Sequence, residues 1–95
     1  MYKILKITPR RLAIKDIDSE TVERLAEAAH KVWMKGKLRD GWKYGPVTDK
    51  DKKIHNCLVP YSQLSETDRQ SDRDMVKGIP EILAVAGYKM IKAEE

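Results

Sequence analysis

Apolar side chains recur at three- and four-residue steps through Val22, Leu25, Ala26, Ala29, Val32 and Trp33. This spacing predicts an amphipathic helix with one buried stripe. Asp18 or Ser19 is placed to cap its start, offering an acceptor to backbone amides that have no helical partner. Glu23, Arg24, Glu27 and Lys31 fall off the stripe, with Glu27 and Lys31 a favourable i,i+4 pair. Gly36 is expected to end the regular helix or open its last turn. A second helix is predicted from Ser65-Glu66-Thr67-Asp68, where Ser65 and Asp68 fit a capping box. Met75, Val76, Ile79, Ile82, Leu83 and Ala86 supply its buried side, and Gly87 its stop. Gly78 and Pro80 interrupt it, because proline removes a hydrogen bond and clashes with the turn before it. A kink or two shorter helices is expected there.

The beginning of the chain has a different rhythm. Charged and apolar residues alternate from Met1 to Ile7, as in a short strand, until Thr8-Pro9-Arg10-Arg11 breaks it. This arm either pairs with Tyr88-Lys89-Met90-Ile91 or stays unattached. Between the helices, residues 36 to 64 form a connection rich in turn signals. Thr48 or Asp49 is expected to cap a single helical turn there, and Leu58-Val59-Pro60-Tyr61 to be extended. A connection of this length in a compact domain is packed or functional. Together these elements predict a mainly α fold: two antiparallel helices, a long packed aromatic connection across them, and minor strand pairing of the termini. Residues 1–18 form the arm or strand, 19–91 the domain, and 92–95 a charged tail.

Size and charge narrow the functional classes. Ninety-five residues make one domain, with no apolar run near the roughly 20 residues that span a bilayer. No signal-peptide pattern opens the chain, so a cytoplasmic protein is expected. Cys57 is the single cysteine, which excludes an internal disulfide and a thiolate zinc cage. The net charge of +4 is arranged in blocks, basic before Asp16, acidic to Glu27 and basic again from Lys31 to Lys43. Acids at a helix start and bases at its end complement the helix dipole. Solvated helix faces therefore account for the pattern better than polyanion binding, and nucleic acid is not an expected partner.

The densest chemical signal lies in the connection. Gly41-Trp42-Lys43-Tyr44-Gly45-Pro46 sets two large aromatics between glycines and a proline. It follows His30-Lys31-Val32-Trp33 and precedes Lys53-Ile54-His55-Asn56-Cys57-Leu58-Val59-Pro60-Tyr61, with Asp72-Arg73 and Gly87-Tyr88 beyond. In this order and spacing, from about Glu20 to Tyr88, the series resembles the ryanodine-receptor repeat domain, in the single-copy form found in prokaryotic and phage proteins. The resemblance implies a small, mainly helical domain. In calcium-release channels the repeat occurs in tandem pairs, one of which looks like a nucleotide-responsive site with tryptophans flanking a purine-like ring. A single copy without a pore segment implies no channel. Asn56 stands where the family usually has proline, which is expected to loosen the turn after His55. Gly78 and Pro80 fall where the family usually continues a helix.

Read from the residues, Trp33 belongs to the helical stripe and is expected in the core, its indole N–H on a carbonyl. Trp42 and Tyr44 divide between a packed lid and an exposed stacking platform. Were the platform formed, Trp42, Tyr44 and Tyr61 would hold a planar ring, and Lys43, Lys53, Arg39 and Arg69 would meet phosphate. His30 and His55 are expected to bond the backbone, His30 to a loop carbonyl. His30, His55 and Cys57 fall short of a metal site, and no cofactor is implied. No nucleophile with a paired base, glycine-rich phosphate loop or carboxylate pair marks a catalyst. The expectation is a non-catalytic module that senses a nucleotide-like planar ligand. The alternative is a protein–protein adaptor or homodimer whose aromatic loop is structural.

Overall fold

The computed structural model describes residues 2–6 and 17–92. The break expected at Thr8-Pro9-Arg10-Arg11 and most of the charged tail lie outside the described residues. The elements run β1 (Tyr2–Lys6), α1 (Ser19–Arg39), β2 (Lys43–Tyr44), β3 (Ile54–His55), a 3-10 turn (Tyr61–Gln63), α2 (Glu66–Lys77), α3 (Ile79–Val85) and β4 (Tyr88–Lys92). The fold is mainly helical. The terminal strands pair antiparallel, Tyr2 opposite Lys92 and Lys6 opposite Tyr88. The short β2 and β3 pair in parallel.

α1 and α2 each begin where a short polar side chain replaces the missing helical acceptor. Asp18 Oδ1 accepts from the Thr21 amide at 2.9 Å, and Ser65 Oγ accepts from the Asp68 amide at 3.1 Å. α1 runs through Gly36 for one further turn, and Gly41, at φ +91°, takes the left-handed conformation that ends it. Gly78 breaks the second apolar segment in two, and Pro80 falls in the first turn of α3, where its missing N–H costs nothing.

The core joins Val22 and Ala26 of α1, Tyr61 and Leu64 around the 3-10 turn, and Val76 of α2. Leu25, Ala29, Cys57, Val59 and Ile79 pack against it. Several expected core positions lie elsewhere. Val32 is 72% exposed, because it lies off the face of α1 that carries Val22, Ala26, His30 and Trp33. Met75 is also mostly exposed, on the open cleft, and so is Ile82 of α3, where the break at Gly78 has reset the phase of the apolar stripe. Instead of Val32, the buried residue near the end of the stripe is His30.

Across the helices, Arg73 of α2 donates through Nε to Glu23 Oε2 of α1 at 2.7 Å, and through Nη1 to Glu66 Oε1 at 2.6 Å. Arg69 holds the other Glu66 oxygen and the carbonyls of Ser62 and Leu64. These guanidiniums hold Glu66 at about 2 and draw Glu23 below the usual carboxylate range.

Candidate functional site

The connection after α1 is built from local bonds. Asp49 Oδ1 accepts from the amides of Asp51 and Lys52, and the backbones of Asp49 and Ile54 exchange two hydrogen bonds of 2.9 Å. The result is a tight turn rather than the expected helical turn, with Lys53 in the left-handed region at φ 56°. It returns Ile54–His55 alongside Lys43–Tyr44, the Lys43 amide bonding the Lys53 carbonyl at 2.9 Å. Gly45 is buried against Ile54, and a Cβ there would overlap the Ile54 side chain. Asn56, expected to loosen the turn, is tied instead: its amide donates to Thr48 Oγ1 at 3.1 Å, a bond proline has no N–H to make.

This turn delivers His55 to α1. Its ring meets Trp33 edge-on at 4.9 Å between centroids, and Trp33 stacks on His30 at 5.5 Å. Both histidines also fix backbone. His30 Nε2 donates to the Val59 carbonyl at 2.6 Å, and His55 Nδ1 accepts from the Cys57 amide at 3.0 Å. The second bond requires an unprotonated Nδ1. Burial and the neighbouring Lys37 charge accordingly push the His55 pKa down, against a weaker upward pull from Asp68.

Between α1, α2 and this histidine-bearing segment lies a cleft of about 240 Å3. Trp33, His30 and His55 line its aromatic side, and Asp68, Asp72 and Met75 of α2 the other. Cys57 contributes its thiol, which donates to Asp68 Oδ2 at 3.6 Å. Burial first, then the Asp68 charge, raises its pKa, so Cys57 remains a protonated thiol and a poor nucleophile at neutral pH. Among the described residues no group of three or more His, Cys, Asp or Glu side chains is arranged to hold a metal ion. No described helix is long and apolar enough to cross a membrane.

The residues singled out from sequence divide between two places. Trp42, Lys43, Tyr44, Lys53 and Arg39 lie at and just past the C-terminal end of α1. There Trp42 is half-buried, tilted against His55 at 6.1 Å between centroids, and Tyr44 is mostly exposed. Lys53 Nζ bonds the Asp40 carbonyl, and Arg39 pairs with the Asp40 carboxylate. Tyr61 and Arg69 are not part of that group. Tyr61 is buried in the core, and Arg69 is engaged by backbone carbonyls and Glu66. Lys37, which the motif did not mark, stands with its ammonium 4.2 Å from the Trp42 ring centroid and 6.0 Å from that of Trp33. Cleft residues Asp72 and Met75 were likewise missed as a site. The available signal was their i,i+3 and i,i+4 relation to Asp68 and Asp72, opposite a helix carrying His30 and Trp33.

These features define a small, mainly helical domain with a cleft between α1, α2 and the His55-bearing segment. The RyR domain family model matches residues 8–92, nearly the whole chain, and the protein belongs to that family.

Proposed function

We propose that this RyR domain is a non-catalytic sensing module that takes a planar, nucleotide-like ligand in the cleft beside Trp33. The observation that carries the reading is the Trp33–His30–His55 wall facing a concave, half-enclosed space between the helices. Ligand sites are concave, largely apolar and furnished with a few converging polar groups. In this reading the connection between the helices, expected to pack across an antiparallel pair, supplies one wall. Ring stacking on an aromatic side chain contributes roughly 1–3 kcal/mol in nucleic-acid systems. Lys37, Lys43 and Lys53 are the cations for an anionic tail, with Lys37 nearest the stacked rings. Trp42 and Tyr44 do not line the cleft, and Trp42 meets it only through its contact with His55.

Thermal-shift and calorimetric screening with nucleoside monophosphates and cyclic nucleotides tests the reading. Saturable binding with quenching of Trp33 fluorescence is expected, read in a Trp42→Phe background. A folded protein that shows no shift at millimolar ligand overturns it.

A second reading, as an adaptor, is favoured by α3, where Ile82 and Val85 are 63% and 85% exposed. Exposed apolar side chains grouped on one element fit a protein-contacting face. An Ile82→Lys, Val85→Lys variant separates the two: it abolishes partner capture or self-association if α3 is the working surface, and leaves nucleotide binding intact if the cleft is.

A further inference from the structure

Resting on the proposal that the cleft holds a planar ring, we infer that Asp72, with Asp68 beside it, selects rings that present an amino group to α2. Asp68 and Asp72 lie one helical turn apart and both line the cleft opposite the aromatic wall. Asp68 has a local role, at the start of α2 and as acceptor of the Cys57 thiol through Oδ2. Asp72 has none of this kind. It sits in mid-helix, past the turn where the helix dipole favours an acid, and its side chain is half-buried. Neither carboxylate forms an ion pair among the described residues, although α2 holds Arg69 and Arg73. Those arginines turn to Glu66 and Glu23 instead.

A partly desolvated carboxylate without a cation is unfavourable unless a donor meets it. Ionised, it only accepts hydrogen bonds. The cleft is thus acceptor-rich on its α2 side, while the Lys37 ammonium lies on the Trp33 and Trp42 side. A ring entering with its N–H edge toward α2 and any anionic tail toward Lys37 satisfies both sides at once. A ring with a carbonyl in place of the amino group sets one acceptor against another at that position, and its remaining N–H sits one atom round the ring, out of line for a carboxylate placed to meet the amino group. Sites built to hydrogen-bond a donor discriminate strongly against analogues that lack it.

The test compares matched nucleotides on the full chain by calorimetry: adenosine against inosine monophosphate, and cytidine against uridine monophosphate. The amino member of each pair is expected to bind at least about tenfold tighter. Asp72→Asn, whose amide can turn either its oxygen or its nitrogen to the ring, is expected to bring the ratio close to one. Its thermal melt in the absence of ligand serves as the folding control. Asp68→Asn, on the same wall, gives a second reading of the ratio should Asp72→Asn fail to fold. Equal affinities within each pair, a preference for the oxo members, or a ratio unmoved by both variants overturns the inference while leaving the ring-binding cleft in place. Absence of binding by all four nucleotides overturns the cleft reading, and the inference with it.

Discussion

The His55 ring stands edge-on to the Trp33 indole, with centroids 4.9 Å apart and planes at 77°. One residue closes the loop turn and the other lies in the third quarter of α1, so this contact fixes the connection to the helix. The same ring accepts the Cys57 amide through Nδ1. His55 therefore joins two tasks, holding the turn out of β3 and lining the cleft.

Replacing His55 with alanine is expected to destabilise the fold by about 1–3 kcal/mol, the usual consequence of leaving a partly buried donor without its acceptor. His55→Asn places an amide oxygen near the position of Nδ1 and is expected to recover part of the loss. Urea denaturation of the three proteins gives the order wild type, Asn, Ala. Equal stability of the Ala and Asn variants would show that the Cys57 bond contributes nothing.

His30 is the more deeply buried of the pair, at 4% exposure, and its 2.6 Å bond to the Val59 carbonyl anchors the extended segment before Pro60. His30→Ala removes both the donor and the ring volume. A loss of about 2–4 kcal/mol is expected from the unpaired carbonyl and the cavity together. His30→Gln retains an N–H donor of similar reach and is expected to lose less. Amide exchange at the segment around Val59 locates the effect: protection there falls in the alanine variant before the ends of α1 fray.

Much of this was legible from local chemistry. The Asp18 and Ser65 caps, the interruption at Gly78 and Pro80, and the His55 bond to the backbone follow from residue types acting over a few positions; His30 was expected on a loop carbonyl, and its partner Val59 lies 29 residues away. The core boundary did not follow, because Val32 sits at the edge of the stripe and its exposure depends on how α1 is rotated against the elements that cover Trp33. Nor did the membership of the site. Tyr61 and Arg69 carry the right side chains for a ring and a phosphate, yet long-range packing puts one in the core and the other on carbonyls. Lys37 is one of several lysines in a basic stretch, four residues from Trp33, and Asp72 stands in the motif series with no chemistry attached to it. Only the fold brings Asp72 to the cleft that Trp33 and His55 line.

Gly36, before the motif, and Gly45, within it, should respond in opposite directions. Gly36 has helical neighbours, and an added Cβ would meet only the tip of the Arg39 side chain, at 3.8 Å. Gly36→Ala is expected to stabilise by about 0.5–1 kcal/mol, since glycine in a helix interior loses more backbone entropy on folding. Gly45→Ala forces Ile54 aside in the parallel β2–β3 pair and is expected to destabilise. Thermal melts of the two variants on either side of wild type check the pair. A stabilised Gly45→Ala protein would mean that β3 shifts freely, and the His55 position with it.

Acid should weaken the fold in two stages. His55 titrates in the unfolded chain near 6.5 but lower in the folded one, so the unfolded chain binds its proton first. Stability consequently falls as pH drops from 6.5 toward the depressed value, and recovers as pH rises. Glu66 follows at lower pH. Its carboxylate is held from 4.5 down to about 2 by Arg73 first and Arg69 second, with Glu23 shifted in the same direction by Arg73. The stabilisation those pairs provide is present above 4.5 and is lost as pH falls toward about 2. His55→Asn is expected to flatten the upper limb of a melting-temperature curve against pH and leave the lower limb unchanged. Arg73→Met is expected to do the reverse: Glu66 and Glu23 titrate closer to free carboxylates, so their share of the decline below 4.5 shrinks. Arg69 still holds part of the shift on Glu66, which leaves a residual slope. Parallel curves for wild type and Arg73→Met below pH 4.5 would show that the bond from Arg73 to Glu23 contributes no pH-dependent coupling between the helices.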